Sequence, residues 1–133
     1  MLDQTKLKVA TYLTIAQCLA LLLYPLPEMT AGHLYYEHWP QHAKFHVLWA
    51  AGMLIFICLT TMWQAWFHLQ KGHAFAWWFI LGFVAFTQGS VIVAKYLYVG
   101  GPSWPLALLG VISPALALAI SASVIFKKTE IHT

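Results

Sequence analysis

The sequence predicts an all-α integral membrane protein, folded as an antiparallel bundle of four transmembrane helices. Of its 133 residues 61% are hydrophobic and 8% are charged, whereas about a quarter of the residues in a soluble domain carry charge. Four apolar runs, at about 9–26, 43–67, 74–98 and 104–126, have the length of roughly 20 residues that crosses a bilayer core. They use nearly the whole chain, so we expect a single transmembrane domain over residues 1–133.

The first apolar run follows Lys6 and Lys8 and could be mistaken for a signal peptide. It ends in Tyr-Pro-Leu-Pro at residues 24–27, without the small residues of a cleavage site. We therefore expect it to be retained as a span. The short connections at 68–73 and 99–103 make the helices that they join antiparallel.

The lysines predict the orientation, because cytoplasmic flanks collect positive charge. Lys44 and Lys95 lie on one side of the four predicted spans, and the larger group on the other side comprises Lys6, Lys8, Lys71, Lys127 and Lys128. We expect both termini in the cytoplasm and the loop 27–42 on the extracytoplasmic side.

The chain contains no arginine, and its lysines are scattered at the ends of the spans. Nucleic acid binding is therefore not expected, since phosphate backbones are held by clustered Lys and Arg. The bilayer is the predicted partner. A lipophilic small molecule, another membrane protein and a second copy of the chain are further candidates.

Histidines are concentrated in the segment 28–46, at the start of the second span. His38, His42 and His46 follow one another at intervals of four residues. If the second helix begins near Pro40, His42 and His46 share one face of it. The three imidazoles would then form a ladder from the surface into the bundle.

Two histidines at positions i and i+4 of a helix can bind one metal ion, and a carboxylate completes a common ligand set for iron or zinc. The candidate metal ligands are thus His38, His42, His46, Glu28 and Glu37, with iron, copper or zinc as the ion. Two other interpretations stay open. The histidines could form a solvated cap at the membrane surface, or act without metal as acid-base or ligand-orienting groups.

Polar residues inside the spans predict a pocket below the histidines, because such side chains normally face the bundle interior. Counted from the outer ends of the spans, Gln17, Gln88 and Ser113 lie at similar depth. With Trp49 they are the candidate substrate-binding residues, and Lys95 joins His42 and His46 as candidate catalytic residues. Alternatively, Lys95 extends to the surface, the two amides join helices, and Ser113 belongs to a kink at Pro114.

Two cysteines, Cys18 and Cys58, fall within the first and second spans. Buried thiols in helices usually pack as small apolar side chains. We expect that role for both.

The run His-Trp-Pro-Gln-His-Ala-Lys-Phe-His at 38–46 resembles a motif of small four-span membrane proteins, in which Trp-Pro precedes His-Ala-basic-Phe-His. The resemblance implies a shared site around His38, His42 and His46. In length and number of spans the chain is also similar to the DoxX-like group of membrane proteins, some of which are associated with quinone or thiosulfate oxidation. That similarity of architecture identifies no catalytic residue.

Together these features predict a membrane oxidoreductase, metal-dependent in one form, that acts on a lipophilic small molecule at an outward-facing site. The alternative is a non-catalytic accessory subunit or lipophile-binding protein. The positions of the polar side chains distinguish the two functions. The enzyme needs His42, His46 and a carboxylate within mutual reach around a cavity, whereas the accessory protein allows them to point into solvent. A transporter is less favoured, because no paired carboxylates lie in the spans.

Overall fold

The chain folds into four long helices joined in sequence. The computed structural model describes residues 2–23, 26–27, 34–35, 37–97 and 104–127, and of Leu2, Lys95 and residues 104–109 the backbone alone. The helices are α1 (Leu2–Leu23), α2 (Gln41–Phe67), α3 (Ala74–Leu97) and α4 (Trp104–Ile125). The described part of the chain contains no strand, which confirms the predicted all-helical class with four helices.

A carboxylate lies in the first turn of α1, and a proline directly precedes α2. α1 begins seven residues before the predicted span, with Asp3 in its first turn, where a carboxylate is favoured by the helix dipole. Its described range extends to Leu23. α2 begins directly after Pro40, whose φ of −57° and ψ of 142° are extended and whose carbonyl accepts from the Lys44 amide at 3.1 Å.

A tight connection at 68–73 reverses the chain between α2 and α3. It contains the short 3-10 helix Leu69–Lys71, after which Gly72 takes a positive φ of 76° that glycine adopts without steric cost. The Gly72 amide donates to the Leu69 carbonyl at 2.9 Å, and the Leu69 side chain is buried. This connection anchors one end of the bundle.

Small side chains bring α1 and α2 together. The Thr11 hydroxyl donates to the Ala65 carbonyl at 3.2 Å, and seven residues further along α1 Cys18 packs beside Cys58, seven residues earlier on α2. The two helices are therefore antiparallel. Most buried residues along this contact are small, as in close-packed membrane helices: Ala10, Thr11, Thr14, Cys18, Cys58, Thr61 and Ala65.

Helices α3 and α4 are also antiparallel. The Trp77 indole donates to the Leu118 carbonyl at 2.9 Å, and the Gln88 side chain lies over Gly110. α4 packs in turn on α1, with which it makes the most extensive helix contact, whereas α2 and α3 make the least extensive one between neighbouring helices. The larger apolar core cluster of the described residues lies at the end that holds the 68–73 connection.

The surface of the bundle suits an apolar solvent. Large side chains point outward, including Phe86 and Trp63, which are 76% and 57% exposed. Hydroxyl groups donate to carbonyls of their own helix, which satisfies them without water; examples are Thr14 to Ala10, Thr61 to Ile57, Thr87 to Phe83 and Ser121 to Ala117.

Three helices are long and apolar enough to cross a membrane, over Asp3–Leu23, Gln41–Lys71 and Ala74–Ala94. The part of α4 whose side chains are described forms a shorter apolar helix, Gly110–Ile125. The composition-based prediction of a membrane protein is consistent with these helices.

We predict that Thr11→Val lowers the free energy of unfolding in detergent by about 0.6 kcal/mol, the average for a hydrogen bond between membrane helices. The substitution conserves shape and removes the hydroxyl that joins α1 to the Ala65 carbonyl. Thr60→Val is the control, because Thr60 donates within its own helix to Phe56. An equal loss in both variants, measured by reversible denaturation, contradicts an interhelical role for Thr11.

Candidate functional site

His42 and His46 form a hydrogen-bonded pair in the first two turns of α2. Their Nε2 atoms lie 2.9 Å apart, and the rings meet nearly perpendicular, at 89° with centroids 4.4 Å apart. The spacing of four residues on a helix places both rings on one face. Both side chains are exposed in the isolated chain, so the pair lies at the surface of the bundle.

The pair presents complementary hydrogen-bonding groups to a ligand. When both rings are neutral, one Nε2–H donates to the other Nε2 across the 2.9 Å contact. The donating ring then has an acceptor at Nδ1, and the accepting ring has a proton at Nδ1. A group that both donates and accepts, such as a hydroxyl, matches this arrangement.

An apolar groove of about 980 Å³ runs between α2 and α3 and reaches His46. Its lining extends over residues 46–57 of α2 and 78–87 of α3, which corresponds to a length of about 16 Å at 1.5 Å per residue. His46 is the one ionisable side chain among the described residues that line it. The groove therefore combines a long apolar wall with a polar group at one end. Its lining residues are His46, Trp49, Ala50, Met53, Leu54, Phe56, Ile57, Trp78, Phe79, Gly82, Phe83, Phe86 and Thr87.

The predicted substrate-binding residues are divided by the structure. Trp49 lines the groove. Gln17 and Gln88 are buried, as expected for polar residues in spans, but they and Ser113 lie outside the groove lining. Gln88 is packed so closely on α4 that a Cβ at Gly110 would come within 3.1 Å of its Oε1.

A metal-ligand set is not assembled within the described residues, where no group of three or more His, Cys, Asp or Glu side chains could hold a metal ion. Glu37 and His38 lie in the turn before α2. Glu28 and the side chain of Lys95 are outside the described residues. A metal site and a catalytic role for Lys95 stay predictions.

Sequence reasoning missed the α3 side of the groove. Phe79, Phe83 and Phe86 recur at helical spacing on α3 and face the groove. They read as ordinary apolar residues of a span, because their spacing alone does not distinguish a ligand wall from a helix contact. The groove forms because α2 and α3 are separated there, and this separation depends on packing elsewhere in the bundle.

Comparison with protein-family models, with curated proteins and with solved structures finds no match to this chain. The similarity to small four-span and DoxX-like membrane proteins accordingly stays a prediction.

Proposed function

We propose that this chain is a multi-pass membrane protein that binds a lipophilic small molecule bearing a hydroxyl group. The hydrocarbon part lies in the groove between α2 and α3, and the hydroxyl bonds to the His42–His46 pair. The observation that carries the proposal is that the apolar groove ends at a histidine already paired with a second one. An accessory or lipophile-carrying role requires binding alone and needs no carboxylate beside the histidines. The described carboxylate Glu37 is not grouped with the pair.

The bilayer supports this function by delivering the ligand laterally. The groove faces outward between two helices that are long and apolar enough to cross a membrane. With both termini cytoplasmic, as the lysines indicate, the histidine pair lies at the extracytoplasmic surface. A ligand dissolved in the outer leaflet then enters with its hydroxyl at the headgroup level.

Labelling of introduced cysteines tests this orientation. Gln41 and Lys71 are exposed at opposite ends of the helical hairpin, and the native Cys18 and Cys58 are fully buried. We expect a membrane-impermeant maleimide to label Gln41→Cys in intact cells and Lys71→Cys after permeabilisation. Labelling in the reverse order contradicts the proposed topology.

Filling the groove should prevent binding. Gly82 lines the groove, and a Cβ added there meets no atom within 4 Å, so Gly82→Leu has open space at Cβ and adds its side chain to the groove. We predict that this variant loses most photolabelling by a long-chain alcohol that carries a diazirine. The matched control is Gly52→Leu on α2, which has the same free space outside the groove lining. Equal labelling of both variants contradicts the groove as the binding site.

The histidine pair should account for selectivity toward the hydroxyl. Loss of one hydrogen bond costs about 0.5–1.5 kcal/mol, so His46→Ala should lower the preference for the alcohol over the matching alkane probe by about two- to tenfold. His73→Ala is the control, since His73 pairs with His68 at the opposite end with centroids 5.5 Å apart. An unchanged preference in His46→Ala removes the pair from the proposal.

A metal-dependent oxidoreductase is the second candidate, and the distance between the two imidazoles favours it. At metal–nitrogen distances of about 2.0–2.1 Å, nitrogens that are 2.9 Å apart subtend about 90° at the ion. Such an angle fits neighbouring positions of a square-planar or octahedral ion such as copper or iron. Metal binding and the hydrogen bond use the same two Nε2 atoms, so they exclude each other.

Metal analysis separates these two uses of the pair. A metal site predicts stoichiometric iron, copper or zinc in untagged protein and its loss in the double variant His42→Ala/His46→Ala. Stoichiometric metal that survives the double substitution belongs elsewhere. Purified protein without metal, which still selects the alcohol probe, eliminates the oxidoreductase in its metal form.

A further inference from the structure

Cys18 and Cys58 are brought together across the α1–α2 contact. Both thiols are fully buried, and they share one apolar cluster with Phe83. The hydrogen bond from Thr11 to the Ala65 carbonyl, two helical turns from the cysteines, is consistent with the same alignment of α1 and α2.

The surroundings of the pair limit which oxidant can reach it. Phe83 belongs to the cluster of the two thiols, Leu54 and Ile57 pack against that cluster, and all three side chains also line the groove. Charged, water-soluble redox partners are disfavoured in this apolar environment, because burial of an uncompensated charge is costly. An oxidant that acts here is neutral and soluble in lipid.

We propose that Cys18 and Cys58 are a redox-active pair that closes to a disulfide between α1 and α2, with a lipid hydroperoxide as oxidant. One sulfur attacks the outer peroxide oxygen, the O–O bond breaks, and the thiol proton passes to the departing oxygen to give a lipid alcohol and a sulfenic acid. The second sulfur attacks the sulfenic sulfur, the S–S bond forms, and water leaves with the second thiol proton.

The balance of this reaction suits its location. Two thiols and one hydroperoxide yield one disulfide, one lipid alcohol and one water, so the sulfurs supply both electrons and no net charge is left in the apolar interior. The hydroperoxide reaches the pair from the groove, whose wall includes Phe83 of the cysteine cluster. That route depends on the groove proposed above as the ligand site. Disulfide formation between Cys18 and Cys58 does not depend on it.

Cumene hydroperoxide, a lipophilic organic hydroperoxide, is the probe, applied to the full chain in detergent. After denaturation, alkylation with N-ethylmaleimide and intact-mass analysis count the free thiols. We expect untreated protein to take two labels and treated protein to take none and to have lost two hydrogens, with dithiothreitol restoring both labels. Aqueous hydrogen peroxide should act at least about tenfold more slowly, because it is polar and enters the apolar interior at a cost.

Single variants identify the intermediate. Cys18→Ser and Cys58→Ser should each stop at the sulfenic acid, which dimedone traps, and form no internal disulfide. In the wild-type protein, two thiols that stay alkylatable or oxidise independently to sulfinic acids overturn the proposal, whether or not the serine variants fold.

The Gly82→Leu variant separates this proposal from the one on ligand binding. Slower closure in this variant than in Gly52→Leu supports entry through the groove, and an equal rate overturns that route. Failure of wild-type protein to close, while the diazirine alcohol still labels the groove, overturns the redox pair and leaves the binding function standing.

Discussion

The close contact between α1 and α2 determines most of what the rest of the molecule can do. Hydrocarbon solvates apolar side chains as well as a protein interior does, so helices in lipid associate through tight packing and hydrogen bonds rather than through the hydrophobic effect. Small side chains supply that packing here, and Thr11 adds a hydrogen bond to Ala65. A single antiparallel register follows, in which Cys18 faces Cys58.

The same register places Leu23, the last residue in the described range of α1, level with Met53 of α2. His42 and His46 lie about two to three turns before Met53, in a part of α2 where residues 41–50 are all exposed or half-buried. The groove extends from this exposed part of α2 as far as Ile57.

Local rules and long-range packing explain what could be predicted from sequence. The four helices follow from apolar runs, and the approach of His42 to His46 follows from the geometry of one helix. The groove and the Cys18–Cys58 contact depend on how separate helices align, which no local pattern specifies. Cys18 and Cys58 were thus expected to be apolar packing residues, and their contact became apparent from the α1–α2 register.

The predicted polar pocket shows the same limit of prediction from local sequence patterns. Gln17, Gln88 and Ser113 were placed at one depth by counting along the spans, but a count gives no direction around the helix axis. Gln88 points to Gly110 on α4, away from the α2–α3 groove. The predicted metal ligands Glu37 and His38 show the same limit for residues in a turn. They precede α2, so their positions do not follow from helical spacing.

In the proposed membrane location, the apolar groove gains little affinity from its apolar walls. When a ligand enters from lipid, it exchanges hydrocarbon contacts for protein contacts, so the area that it buries gives almost no net driving force. Shape and polar contacts must then distinguish the ligand from ordinary acyl chains. Filling the groove at Gly82 should act on shape and affect every occupant, whereas removing His46 should act on selectivity and leave acyl chains unaffected. The histidine pair, although exposed and small, is therefore the feature that would distinguish a specific ligand from an acyl chain.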